Sequence, residues 1–132
     1  MSTPTLPDKR VVGPLTVTDF VRYQGASGDM NPIHHDESFA KGAGFPSVFA
    51  VGMLNAGLLG TYLTDWLGAK NVRRFQVQFR AQVWPGDELT FEVSSVSERT
   101  GDDGSTLLDV ESVVTRQNGD VAIKGQATFS TA

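Results

Sequence analysis

Cysteine is absent from the 132 residues, so no disulfide scaffold is available and nothing points to an oxidising compartment. Histidine is scarce, with 2 residues, and no recognised metal-ligand spacing can be written from so few ligand-type side chains. An excess of positive charge is also lacking. The net charge is −4 and the pI is near 5.0, which argues against nucleic acid or an anionic membrane as the main partner. No basic-then-apolar signal pattern opens the chain. The most apolar stretch, Val48 to Leu67, is broken by Gly, Asn, Thr and Asp, so it reads as a buried helix and not as a membrane span. Repeats and linkers are missing as well. What remains is an apolar fraction of 39% with 20% charged residues. The length suits a single domain over residues 1–132 with one core, and the expected location is cytoplasmic.

Taken in order, residues 1–9 are small and polar with two prolines among them and predict a loose tail or short lead-in. Arg10 to Leu15 predicts a brief edge strand, interrupted by Gly13-Pro14. Thr16 is a good N-cap with Asp19 in the first turn, and Val17, Phe20, Val21 and Gln24 follow helical spacing. Asp36 caps a second short helix, Glu37 to Lys41, stopped by Gly42. Gly52 to Leu67 is a helix apolar nearly all round, the mark of a buried one, and Gly52, Ala56 and Gly60 form a small-residue line along it. Beyond Gly68 the period falls to two. Phe75, Val77, Phe79, Ala81 and Val83 alternate with polar residues, a half-buried strand. Strands follow around Leu89–Val93 and Leu108–Val114, then an Asn118-Gly119 hairpin signal and a last strand from Val121 to Phe129. One apolar helix is the natural cover for such an antiparallel meander.

The stretch that carries chemistry runs from Tyr23 to Met53. Pro32 pushes Asn31 out of the α region, and Gly28, Asp29 and Asn31 suit a turn. Asp29 and His34, five residues apart, would not share a helical face, but a bent loop brings both around one point. A carboxylate and an imidazole so placed can hold a water and move its protons near neutral pH. The same residues also admit a bland reading, with Asp29 and Asn31 capping the turn and His34 a satisfied, half-buried histidine. A metal site on Asp29, His34, His35 and Asp36 is a weaker option.

The run Gly28-Asp29-Met30-Asn31-Pro32-Ile33-His34, followed by Asp36, Ala40 and Ala50-Val51-Gly52-Met53, resembles the MaoC-type family of (R)-specific enoyl-CoA hydratases and 3-hydroxyacyl-thioester dehydratases. The resemblance extends from about Thr16 to the last strand. It implies an α+β hot-dog fold, with an antiparallel sheet wrapped around one central helix. It also implies Asp29 and His34 as the catalytic pair, the Gly52 backbone N–H as oxyanion donor, Asn31 as the loop-positioning residue, and Val51 and Met53 as substrate contacts. No metal and no cofactor are implied. Where the family usually has His before the glycine, this chain has Val51. Where some members carry a serine further along the helix, it has Gly60.

The activity so implied is addition of water to a trans-2-enoyl thioester, giving the (R)-3-hydroxyacyl thioester, or the reverse. The carrier is expected to be coenzyme A, with Arg73, Arg74 or Lys41 near its phosphates unless these are plain solvated surface. A homodimer is expected, and a heterodimer with a sister chain is the alternative, in which this chain is a weakly active or structural subunit. A hot-dog thioesterase is the other rival.

Overall fold

The computed structural model describes residues 3–131, and Met1, Ser2 and Ala132 lie outside the described residues. A short strand β1 (Arg10–Val12) leads to helix α1 (Val17–Ser27), a 3-10 turn at Pro32–His34, helix α2 (Glu37–Gly42) and helix α3 (Gly52–Leu67). Strands β2 (Val72–Phe79), β3 (Leu89–Thr100), β4 (Thr106–Arg116) and β5 (Val121–Ser130) follow. They form one antiparallel sheet of 5 strands in the order β1-β3-β4-β5-β2. The sheet packs one face on α3, the hot-dog arrangement expected from the sequence.

Local chemistry accounts for the element ends. Thr16 and Asp19 close a reciprocal capping box, with the Asp19 N–H donating to Thr16 Oγ1 at 3.2 Å and the Thr16 N–H to Asp19 Oδ2 at 2.8 Å. Gly28 ends α1 at φ 82°, a left-handed conformation that favours glycine. The Phe39 N–H donates to Asp36 Oδ1, capping α2.

The core lies between α3 and the sheet, where Leu59, Leu63, Phe91, Ile123 and Phe129 are buried together with Phe20 of α1. Each such side chain contributes on the order of 1.5–3 kcal/mol through burial. Close approach depends on Gly125 of β5, because a Cβ there would stand 2.7 Å from Leu59 Cδ2 and 2.5 Å from Ser112 Oγ.

Several expectations are corrected. Helix α3 is not buried all round: Met53 is 56% exposed and Gly57 and Thr61 are also open, because the sheet covers only one side of it. Strand β2 is shifted toward the N-terminus and is not half-buried, with Phe75 and Phe79 at 40% and 50% exposure. It ends at Phe79 because the regular ladder with β5 breaks there, two successive N–H groups sharing one acceptor. Arg80 and Ala81 both turn their N–H groups to the Ala122 carbonyl, and the Val83 carbonyl accepts from the Ala50 N–H at 2.8 Å. Strand β3 runs on to Thr100 through a Ser-rich polar stretch, held by backbone pairing with β4. The Asn118-Gly119 turn is wider than a two-residue hairpin, closing between Arg116 and Asp120 with Gly119 at φ 90°. The lead-in is fastened to α3 over its described part, since Trp66 Nε1 donates to the Thr5 carbonyl at 3.1 Å and Tyr62 Oη to the Asp8 carbonyl at 2.9 Å.

Candidate active site

The loop after α1 is a chain of short-range hydrogen bonds that its polar residues make with their own backbone. The Asn31 N–H donates to Asp29 Oδ1 at 3.2 Å, and the Ile33 N–H donates to Asn31 Oδ1 at 3.1 Å. Asn31 thereby caps the 3-10 turn that carries His34. Asp29 is exposed, whereas His34 is buried with 8% of its surface open.

His34 is anchored across the fold. Its Nδ1 lies 2.8 Å from the Phe49 carbonyl oxygen, and its ring meets the Phe49 ring edge-on at 5.2 Å. A carbonyl only accepts, so Nδ1 carries the proton and the neutral ring keeps its lone pair on Nε2. The histidine is thus fixed as one tautomer, with its basic nitrogen turned away from the anchor. Phe49 in turn leads into Val51 and Gly52 at the start of α3. One contact therefore couples the loop to the helix N-terminus, whose leading N–H groups have no intrahelical acceptor.

Asp29 and His34 share the loop but no direct hydrogen bond or ion pair joins their side chains, each engaging backbone instead. Among the described residues no cluster of three His, Asp or Glu side chains gathers.

Gly52 opens α3 without a side-chain cap from Val51 and borders a cavity of about 240 Å³, together with Phe49, Asn55, Phe79, Arg80 and Gln82. A Cβ on Gly52 would lie 3.1 Å from the Phe79 ring, so glycine lets that ring lie over the helix start. Val51 is buried and Met53 is exposed, and neither borders this cavity. Lys41 pairs with Glu37 at 3.7 Å on the surface, and Arg73 and Arg74 make local contacts to the Lys70 carbonyl and to Gln76. The cation at the cavity is Arg80.

A residue that spacing alone did not single out as functional is Gln24. It is 0% exposed, donates from Nε2 to the Asn31 carbonyl at 2.9 Å, and accepts at Oε1 from His35 Nδ1 at 2.8 Å. Both halves of its carboxamide hold the site loop against α1. The one signal for it in the sequence is a polar residue on the buried face of an amphipathic helix.

The family model of the MaoC like domain matches residues 3–118, and the chain belongs to this family. It is 31% identical to the (R)-specific enoyl-CoA hydratase of Aeromonas caviae over 107 residues, covering 80% of this chain and 78% of that protein. Among solved structures, the (R)-hydratase from A. caviae involved in PHA biosynthesis matches with a TM-score of 0.82 at 24% identity over 100% of both chains. A chain of the ChsH1-ChsH2 complex from Mycobacterium tuberculosis matches with a TM-score of 0.79 at 21% identity, over 97% of this chain and 96% of that one. Both likenesses speak for the fold. The chain spans 66%, 41% and 30% of the length of three further curated relatives. No helix among the described residues is long and apolar enough to cross a membrane.

Proposed function

We propose that this protein is a hydro-lyase that adds water to a trans-2-enoyl thioester to give the (R)-3-hydroxyacyl thioester, or catalyses the reverse. The observation that carries this reading is the anchoring of His34. Its Nδ1–H is committed to the Phe49 carbonyl, which leaves a basic Nε2 on the same loop as the exposed Asp29 carboxylate.

In the forward direction a water held between the Asp29 carboxylate and His34 Nε2 attacks the β-carbon and gives up a proton to this pair. The electron pair of the C=C bond moves onto the thioester oxygen as an enolate, which the Gly52 N–H receives. A proton delivered to the α-carbon restores the thioester, so both elements of water end on the product. Attack and charge development are simultaneous, which places base and donor on either side of one substrate. Asn31 keeps the loop in shape, and we assign Val51 and Met53 to contact with the acyl group. The carrier we propose is coenzyme A, supported by the basic and polar rim that Arg80 and Gln82 give the Gly52 cavity. Cytoplasmic location is part of the same reading.

The partner we propose is a second copy of the chain. Phe75 and Phe79 of β2 and Met53 at the start of α3 are exposed apolar side chains, and β2 is an edge of the sheet. A sister chain is the second reading, favoured by the likeness to a chain of a two-component complex.

Incubation with crotonyl-CoA tests the reaction. Loss of the enoyl absorbance without release of free thiol is the expected result. Thiol release would instead assign a thioesterase. An inactive chain that a sister chain rescues would assign the subunit role.

A further inference from the structure

One buried polar group lies outside both the hydrogen bonds of the fold and the acid–base pair. Asn55 sits in the first turn of α3, is 4% exposed, and interrupts a helix whose other buried residues are Ala56, Leu59, Tyr62 and Leu63. Its Oδ1 is sealed from solvent and accepts no hydrogen bond. A sealed amide oxygen without a donor weakens a fold, so a side chain that carries one here calls for a use.

Its surroundings supply one. Asn55 borders the same cavity as Gly52. Residues three apart on a helix lie on one face, so the Gly52 N–H and the Asn55 carboxamide address a common space. With the oxygen sealed, the NH₂ group is the half of the carboxamide able to meet a ligand there. The other orphan, Ser112 Oγ, faces Gly125 across the β4–β5 pairing and does not border the cavity.

We propose that the Asn55 side chain is a second hydrogen-bond donor to the thioester oxygen, beside the Gly52 N–H. The proposal rests on the hydratase reading above. A carbonyl oxygen has two acceptor directions, and one backbone N–H fills only one of them. As the C=C electron pair arrives on that oxygen, a second donor already in place stabilises the transition state more than the ground state. A carboxamide carries no charge, so its readiness does not vary with pH.

Asn55→Ala and Asn55→Leu in the full chain test this. The expected result is a loss of roughly 100-fold in kcat, the scale for removing one oxyanion donor, with KM little changed. Crotonyl-CoA labelled with carbon-13 at the carbonyl, bound to an Asp29→Asn chain that does not turn it over, should show a lowered carbonyl stretching frequency. Adding Asn55→Leu should move the band back toward its value in free solution. The melting temperature of Asn55→Leu should equal or exceed that of the wild type, because the orphan amide is gone. A wild-type chain that adds no water sinks the hydratase reading and this proposal with it. An active wild type whose Asn55 variants keep full kcat sinks this proposal alone. An unmoved carbonyl band together with a lowered melting temperature marks Asn55 as a structural residue and overturns it.

Discussion

Asp29 and His34 hold unequal positions in the site, and the difference sets what each substitution should do. Asp29 is exposed on a turn, so Asp29→Asn keeps the fold and removes only the charge. His34 is buried and tethered to Phe49, so His34→Ala removes a base and also frees the strap before Gly52. Each should lower crotonyl-CoA hydration by at least about 100-fold, and only His34→Ala should also lower the melting temperature. Gln24→Leu keeps the shape but leaves the Asn31 carbonyl and His35 Nδ1 without their partner. It should cost about 1–3 kcal/mol of stability, measurable by urea unfolding, and lower kcat through the displaced loop. This scale is also where the sequence was most and least readable. Asp29 and Asn31 announce a turn because their side chains accept from backbone N–H groups two residues on, and Pro32 keeps Asn31 out of the α region. The tether to Phe49 was hidden, since it joins positions 34 and 49 through a carbonyl, and every residue has one. Asn55 and Gln24 were visible only as polar residues out of pattern on apolar helix faces.

Among the elements, two junctions decide stability. The first is the meeting of α3 with β5. Gly125→Ala would drive a methyl group into Leu59 and Ser112, and overpacking of this kind costs about 1–3 kcal/mol, read as a lower urea midpoint with an unchanged slope. The second is the corner where the β4–β5 turn meets the turn before β3. Asp87 is buried and accepts from Arg116 at 2.7 and 3.2 Å, from Gln117 at 2.7 Å and from the Trp84 N–H at 2.8 Å. Burial alone would raise its carboxyl, but the hydrogen bonds from Arg116, the Trp84 N–H and Gln117 outweigh it and hold the group below its ordinary value of 3.8. The folded value therefore lies under the unfolded one. Its contribution to stability is present in full above the ordinary value and is lost as pH falls through the folded value. Asp87→Asn should destabilise the protein at pH 7 by about 3–5 kcal/mol, the scale for breaking a buried ion pair. The gap to the wild type should shrink in unfolding curves taken below the ordinary carboxyl value. The elements themselves followed from local pattern, α1 from its spacing and capping box and α3 from its long apolar run. The limits of β2 and β3 did not, because the backbone chooses its partners there. Ala81 and Val83 keep an alternating pattern after leaving the sheet, and Ser95 to Thr100 pair without one.

At the level of the whole molecule, the alternation of Phe75, Val77 and Phe79 read as a strand facing a core within the chain. In the single chain that core is incomplete, and the two phenylalanines remain open. The pattern is local, whereas what packs on it is decided by contacts beyond the strand. If a second copy completes it, sedimentation should give a dimer. Phe75→Glu with Phe79→Glu should give a monomer that keeps its far-ultraviolet circular dichroism. A monomeric wild type would remove the homodimer from the reading.

The free margin of β2 has a further consequence. Among the described residues no strand lies beyond it, and such a margin invites any extended peptide to add on. Arg73, Arg74 and Arg80 stand exposed along it, as charges that repel a like margin at low ionic strength. Salt near 1 M shortens the reach of that repulsion to about 3 Å, so a chain kept dilute and single should cloud as salt is added, while a paired one should stay clear.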